Sequence, residues 1–358
     1  MKIGILTGGG DCPGLNAVIR GIVRKGIFHY DDQFVGFLEG WRGVIENSTM
    51  PLNLETVSGI LPRGGTILRT SRTNPAKREG GIEQCLKNLE ANKLDALIAI
   101  GGDDTLGVAL KMFNRGFKAI GCPKTIDNDL SGTDLCFGFD TAVMIATEAI
   151  DRLHSTAESH NRVIVCEVMG RGSGWIAIYS GIAGGADAIL IPEKPFDIDE
   201  VVATLKRRHE RGRHFSIVVV AEGAKFATKA DQNGIVVQAL GKDEFGHERL
   251  GGIGQVLAEE IEKRTKYETR AVVLGHTQRG GTPTAFDRVL GTRYGIGAID
   301  MVHKGEFGKM VALRGNEIVS VPLSDAVTVN RTVDDKLIAV ADSLQEEPQH
   351  RPQATVKG

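Results

Sequence analysis

The sequence predicts an α/β protein of two doubly wound, mainly parallel-sheet lobes, with the active cleft lying between them at strand carboxyl ends. Three observations carry this expectation. Short apolar, β-rich runs alternate with helix-periodic stretches for most of the 358 residues, the order that parallel βαβ units produce. The 46 glycines exceed what a plain helical protein uses and suit repeated turns between strand and ligand. Several glycine clusters directly follow apolar runs, and α/β sheets place their ligands at strand carboxyl ends.

The elements follow in order. KIGILT at 2–7 is a strand that runs into GGGDCPG at 8–14, and Pro13 opens a helical stretch over 13–28, a position suited to a residue without an N–H. FVGFL at 34–38 predicts the next strand. Beyond a basic stretch come helix 81–89, strand 96–100, helix 105–113 and strand 117–120. The pattern then continues through helix 140–159, strands 163–168 and 188–191, helix 198–211, strand 216–221, helix 254–264, strand 271–274 and helix 283–302. The polar stretch 225–252 holds Gly234, Gly241, Gly246, Gly251 and Gly252 and reads as a flexible connection between lobes. Prolines, charge and no periodicity predict a loosely ordered tail at 346–358. The expected lobes are 1–137 plus 251–302 and 138–250 plus 303–345, with crossings near Phe137, Gly251 and His303.

Composition narrows the function classes. A net charge of −2 argues against a dedicated nucleic-acid or membrane surface, and no apolar run reaches transmembrane length. The apolar start is too short for a signal segment and ends in glycines. Cys12, Cys85, Cys122, Cys136 and Cys166 are scattered without a CxxC pair. They read as small buried hydrophobes in a reducing cytoplasm.

The motif richest in chemistry is GCPKTIDND at 121–129. It sets Asp127 and Asp129 beyond a strand's carboxyl end, where one carboxylate can remove a proton while the other orients a group or holds a metal. Lys124 adds a cation able to neutralise phosphate charge. A salt-bridged loop cluster is the alternative for this stretch alone. Four glycine-rich turns strengthen the functional reading. GGGDCPG offers backbone N–H groups and a helix start to anionic oxygens, although Pro13 also fits a structural cap. GGDDT at 101–105 places Asp103 to hold a divalent cation, with waters retained. MGRGSGW at 169–175 projects Arg171 into the cleft, and AEGA at 221–224 puts Glu222 at another strand end. A lone glutamate there is more often a surface ion pair, but the set of matched placements tells against that. Arg63, Arg69, Arg72, Lys77 and Arg78 lie among serines, threonines and glycines at 62–78, not along a helix face, which favours anion binding over a solvated basic face. TRAVVLGHTQRGG adds Arg270, His276 and Arg279, and a histidine sharing its turn with an arginine suits a phosphorylated sugar. Carboxylates, arginines and an anion-binding cleft together point to phosphoryl transfer between two phosphorylated compounds.

GGGDCPGLN, ILRTSR, GGDDT, PKTIDND, MGRGSGW, AEGA and LGHTQRGG, in that order, resemble the motifs of the 6-phosphofructokinase family over about residues 1–320. The resemblance implies that Asp127 takes the proton from the 1-hydroxyl of fructose 6-phosphate, that Asp129 orients it or the sugar, and that Asp103 binds Mg²⁺. It further implies that Gly10, Arg72 and Thr105 meet the phosphoryl donor, with Arg171 and Thr125 flanking the reacting centre. Arg162, Met169, Gly170, Glu222, Arg270, His276 and Arg279 are then the sugar-phosphate residues. Arg162 and Arg270 are expected to serve a neighbouring subunit of a homodimer or homotetramer. The first lobe is expected to hold the donor, the second most of the sugar site, and the location to be cytoplasmic.

Two positions depart from the familiar ATP-dependent bacterial pattern, which has glycine after GGD and glycine after the proline. Here they are Asp104 and Lys124, a pair similar to the pyrophosphate-dependent members, close to the mixed-substrate group. A carboxylate at 104 stands where a nucleotide's next phosphate must pass, adding bulk and like-charge repulsion. A related ATP-using subgroup carries the lysine alone, so Asp104 is the deciding residue. The alternatives are an ATP-dependent 6-phosphofructokinase, a non-catalytic sugar-phosphate sensor, and the NAD and lipid kinases with a GGDGT-type turn. Those kinases lack PKTIDND and LGHTQRGG.

Overall fold

The computed structural model describes residues 1–228, 231–235 and 250–345. The chain opens with β1 (Lys2–Thr7), α1 (Leu15–Tyr30), β2 (Gln33–Phe37), α2 (Trp41–Glu46), β3 (Thr49–Leu52), α3 (Gly81–Ala91), β4 (Ala96–Gly101), α4 (Asp103–Asn114) and β5 (Ala119–Pro123). It continues through α5 (Phe139–His160), β6 (Val163–Val168), α6 (Trp175–Ala183), β7 (Ala188–Leu190), α7 (Ile198–Glu210) and β8 (Ser216–Ala221). Then come β9 (Phe226–Thr228), β10 (Asp231–Ile235), α8 (Ile253–Thr265), β11 (Thr269–Val273) and α9 (Ala285–Lys304). Last are β12 (Lys309–Arg314), β13 (Glu317–Pro322), α10 (Leu323–Thr328) and α11 (Asp335–Gln345). No helix among the described residues is long and apolar enough to cross a membrane.

The first lobe holds a seven-stranded sheet in the order β13-β12-β5-β4-β1-β2-β3. Its inner pairs are parallel, while β3 and β13 run antiparallel at the two edges. Period-2 alternation explains how one strand serves two cores. Ile3 and Ile5 of β1, with Ile98 and Ile100 of β4, face Leu15, Ile19 and Tyr294 of α1 and α9. Leu6, Leu97 and Ala99 point the other way, toward Leu106 and Met112 of α4 and Leu89 of α3. Both faces are covered, so these strands read as continuous apolar runs.

The second lobe is a four-stranded parallel sheet, β11-β6-β8-β7. Cys166 and Val219 face α5 and α6 within the same continuous core as the first lobe. Val165 and Val218 face Leu205 and Ile261 of α7 and α8.

The assignment of segments to lobes differs from the sequence expectation. α8 and β11, expected with the first lobe, belong to the second, because β11 pairs in parallel with β6. The β12–β13 hairpin, expected with the second, extends the first sheet beyond β5. The crossings therefore fall near Gly138, between β11 and α9, and between α10 and α11, instead of at Gly251 and His303. Stretch 225–252 does not join the lobes. Phe226 packs on Phe196, with ring centroids 4.6 Å apart, and Gly252 N–H donates to Glu167, so both ends sit in the second lobe. Residues 229–230 and 236–249 of that stretch, and the tail 346–358, lie outside the described residues.

Candidate active site

The chain moves outward from β1 to β2 and β3, then returns to place β4 on the other side of β1. This reversal opens a crevice at the carboxyl ends of β1 and β4, the place where such sheets bind ligands. The register sets three turns side by side, because Thr7 pairs with Ile100 and Gly101 with Pro123. One cleft gathers Gly9, Gly10, Arg72, Gly102, Asp103, Asp104, Thr105, Lys124, Thr125, Asp127, Asp129, Arg171 and Arg279.

The GGG turn is braced from behind by the basic stretch. Thr70 Oγ1 donates to Gly9 O at 2.6 Å, and Gly9 N–H donates to Ser71 O at 3.2 Å. A Cβ on Gly10 would stand 2.5 Å from Nη1 of Arg279, so glycine is what lets that guanidinium lie on the turn. Arg279 Nη1 also donates to Asp11 O at 3.3 Å. Helix α4 begins earlier than its periodicity suggests, which puts Asp103 and Asp104 in its first turn, where the helix dipole favours carboxylates. Thr105 is buried between turns. A Cβ on Gly8 would come within 2.5 Å of it, and one on Gly101 within 2.3 Å.

Strand β5 runs on through Gly121, Cys122 and Pro123 before the chain turns. Lys124 is buried and its Nζ donates to Gly10 O at 2.5 Å. Burial pulls its ammonium below the usual value, and the positive Arg279 and Arg171 add to that. Asn128 takes a left-handed φ of 52° between the two aspartates, a conformation asparagine tolerates better than most residues. Its side-chain oxygen accepts from Cys136 N–H at 2.9 Å. Thr125 Oγ1 accepts from Asp127 N–H at 3.0 Å, and Ser173 Oγ donates to Asp127 O at 3.0 Å from the other lobe.

Oδ1 of Asp127 and Nε of Arg279 are buried without a hydrogen-bond partner, an arrangement that is costly unless something else meets those atoms. Burial first, then the neighbouring charges of Asp127 and Asp103, raise the Asp129 carboxyl to about 8. Burial opposes the Arg171 charge, yet Asp127, Asp103, Asp104 and Asp129 outweigh it and hold the guanidinium above its ordinary value. Arg171 Nη1 lies 3.9 Å from Asp103 Oδ1. Its backbone is left-handed, with φ 53°, and is held there by Glu222 Oε1, which accepts from the N–H of Gly170 at 3.3 Å and of Arg171 at 3.0 Å. Burial lifts the Glu222 carboxyl to about 7. Among the described residues no three His, Cys, Asp or Glu side chains could hold a metal ion by themselves.

The other expected residues fall elsewhere. Met169 and Gly170 are buried at the end of β6, beside the cleft. His276 is exposed on a short 3₁₀ turn at 275–279 and does not line the cleft. Arg162 and Arg270 stand at the amino ends of β6 and β11, away from the cleft, and both pair with Glu268. Ser173 was not singled out by sequence reasoning. Its signal was only its place in the GRGSG turn.

Residues 2–302 match the family described as Phosphofructokinase. The chain belongs to the phosphofructokinase family. Among relatives, it is 58% identical to a pyrophosphate--fructose 6-phosphate 1-phosphotransferase of Streptomyces coelicolor, over 94% of this chain and 97% of that one. It is also 52% identical to ATP-dependent 6-phosphofructokinase 3 of the same organism, over 96% of this chain and all of that one. A solved pyrophosphate-dependent phosphofructokinase from Nitrosospira multiformis superposes with a TM-score of 0.81 at 20% identity, covering 99% of this chain and 94% of that one. That likeness concerns the phosphofructokinase fold. The family match ends before β12, β13, α10 and α11.

Proposed function

We propose that this chain is a pyrophosphate-dependent phosphotransferase that phosphorylates the 1-hydroxyl of fructose 6-phosphate, releasing phosphate. The observation that carries the reading is the meeting of Asp104, Lys124, Asp127 and Arg171 in one cleft. The relatives named for pyrophosphate support it. In this reading Asp127 accepts the hydroxyl proton as the sugar oxygen bonds to the transferred phosphorus and the bridging P–O bond breaks. Arg171 stabilises charge on the transferring group, and Lys124 offsets charge on the departing phosphate. Gly10, Arg72 and Thr105 hold the donor, while Asp104 stands against a nucleotide's further phosphate. Met169, Gly170, Glu222, His276 and Arg279 serve the sugar phosphate, with Thr125 beside the reacting centre.

The oxygen-only donor set of Asp103 with Asp129, and the unpartnered Asp127 Oδ1 nearby, fit Mg²⁺, which needs only one or two carboxylates besides waters and substrate phosphates. When bound, such an ion supplies positive charge to phosphate oxygens. Arg162 and Arg270 are assigned to the sugar phosphate of a neighbouring subunit in a homodimer or homotetramer. The five buried, free cysteines suit a reducing cytoplasm.

The test is the purified protein with fructose 6-phosphate and Mg²⁺, given pyrophosphate or ATP in parallel. Fructose 1,6-bisphosphate formation with pyrophosphate and little with ATP is expected. Preference for ATP would overturn the donor and leave the sugar kinase, and inactivity with both would remove the enzyme reading.

A further inference from the structure

Residues 329–334 form an irregular strap between α10, which packs on the first lobe, and α11, which packs on α6 of the second. The strap is thus the last chain crossing, and it runs along the turn that carries the aspartates. Leu130 forms an antiparallel bridge with Asn330, Ser131 Oγ donates to Val329 O at 2.6 Å, and Arg331 N–H donates to Asp129 O at 2.7 Å.

The same residue then grips the other lobe. Trp175 Nε1–H donates to Arg331 O at 3.3 Å. The Arg331 guanidinium stands 4.3 Å from the Trp175 ring centroid, a cation–π contact strengthened by the burial of Trp175. Its Nη1 donates back to Asp134 O at 2.5 Å. Two residues later in the strap, Val333 N–H donates to Glu193 Oε1 at 3.0 Å, and that oxygen also accepts from Gly174 N–H at 3.0 Å. Gly174 and Trp175 end the turn whose other limb carries Arg171.

We propose that Arg331 is a positioning residue that fixes the carboxylate turn of one lobe against the arginine turn of the other. Its hydrogen bonds and ring contact reach Asp129 O, Asp134 O and Trp175 rather than a cleft-lining side chain; it acts through Asp129 O and Trp175. A planar guanidinium suits the task, because it stacks on the indole while a fork nitrogen reaches a carbonyl. The inference rests on the roles proposed above for Asp127 and Arg171.

The donor residues Gly10, Arg72 and Lys124 belong to the first lobe alone, so loosening the strap should leave pyrophosphate binding nearly intact. The transfer step needs both lobes and should suffer. In full-length protein, Arg331→Ala is expected to lower kcat by roughly 10-fold to 100-fold, the scale for an ångström of misplacement, with the KM for pyrophosphate changed by less than about 2-fold. Arg331→Lys, which keeps charge without the stacking plane, should fall between. Trp175→Leu, which removes the ring on which the guanidinium stacks, combined with Arg331→Ala should cost less in kcat than the sum of the two single changes, since both delete the same stacked contact.

A lower Tm with kcat of the folded enzyme unchanged in both Arg331 variants would overturn the proposal. So would a rise in pyrophosphate KM matching the fall in kcat, or fully additive effects with Trp175→Leu. Running every variant with ATP as well separates the two readings. An unsubstituted enzyme that uses ATP alone would overturn the donor assignment, while the strap is still judged by kcat with that donor.

Discussion

Asp127 keeps one carboxyl oxygen buried and unpartnered, and its backbone is pinned from both lobes by Thr125 and Ser173. A base so fixed loses little freedom on reaction, so its removal should appear in kcat. Asp127→Asn is expected to lower kcat by roughly 10²–10⁴-fold, the usual contribution of general-base catalysis, while the sugar KM moves far less. Steady-state kinetics on both substrates would check this, and a near-normal kcat would move the role elsewhere. In the proposed reading, Asp104 sets the donor. Two like charges about 4 Å apart repel by about 4 kcal/mol at an effective dielectric near 20, a penalty that pyrophosphate avoids by ending sooner. Asp104→Gly should raise ATP use and lower pyrophosphate use, read as the ratio of the two kcat/KM values. Glu222 supplies a pH dependence. Burial lifts its carboxyl from 4.5 to about 7, so between those values the folded state holds a proton that the unfolded chain releases. The stability this contributes is present below about 4.5 and lost as pH rises through about 7. Ionised Glu222 is the better acceptor for a sugar hydroxyl. The KM for fructose 6-phosphate should therefore fall as pH rises through that range, and Glu222→Gln should flatten both trends. A sugar KM profile unchanged by that substitution would remove Glu222 from the site.

At the scale of elements, the reactive turns were legible because each follows a short, largely apolar strand. β1, β6 and β8 match their sequence bounds, and the turns after them carry Gly10, Arg171 and Glu222. α6 was missed because WIAIYSGIA is almost uniformly apolar, which leaves no period to read. The β12–β13 hairpin did carry a signal. Arg314 pairs with Glu317 across Gly315 and Asn316, and Gly-Asn between two apolar runs is a hairpin pattern. The Arg331 strap had none, since its contacts join residues far apart in sequence. The start of α5 is another such case. Asp287 of α9 accepts from Gly138 N–H and Thr141 N–H, both at 2.8 Å, and from Thr141 Oγ1. A carboxylate from a distant helix thereby caps α5 where the chain first changes lobes. Asp287→Ala would leave those buried N–H groups unpaired and should cost about 3 kcal/mol, at the scale of unsatisfied buried donors. Asp287→Asn, which keeps an acceptor, should cost less in denaturant titration.

Across the whole molecule, the chain changes lobes three times among the described residues, and only the first crossing was visible in sequence. The other two depend on which sheet edge accepts β11 and β12, and both strands have apolar faces that suit either sheet. The same geometry explains why two of the expected sugar-phosphate residues are absent from the chain's own cleft. Arg162 and Arg270 lie at strand amino ends, where Glu268 pairs with both, while the cleft lies at carboxyl ends. Glu268 gathers the two guanidiniums into one basic patch, with Arg270 half exposed at its side chain. If that patch completes the site of a second copy, the contact must be reciprocal, because a two-fold interface repeats each contribution in both directions. Two lesions can then be sorted by mixing. Asp127→Asn removes the base from a subunit's own cleft, and Arg162→Ala removes the cation it lends to its neighbour. In a hybrid of the two, the cleft of the Arg162→Ala subunit has its own Asp127 and receives an intact Arg162, so it is native, while the other cleft carries both lesions. Mixing the two inactive variants under conditions that exchange subunits should therefore restore activity at low fructose 6-phosphate. Arg162→Ala alone should raise the sugar KM more than it lowers kcat. No recovery on mixing, with subunit exchange verified by labelled protein, would place Arg162 outside any shared site.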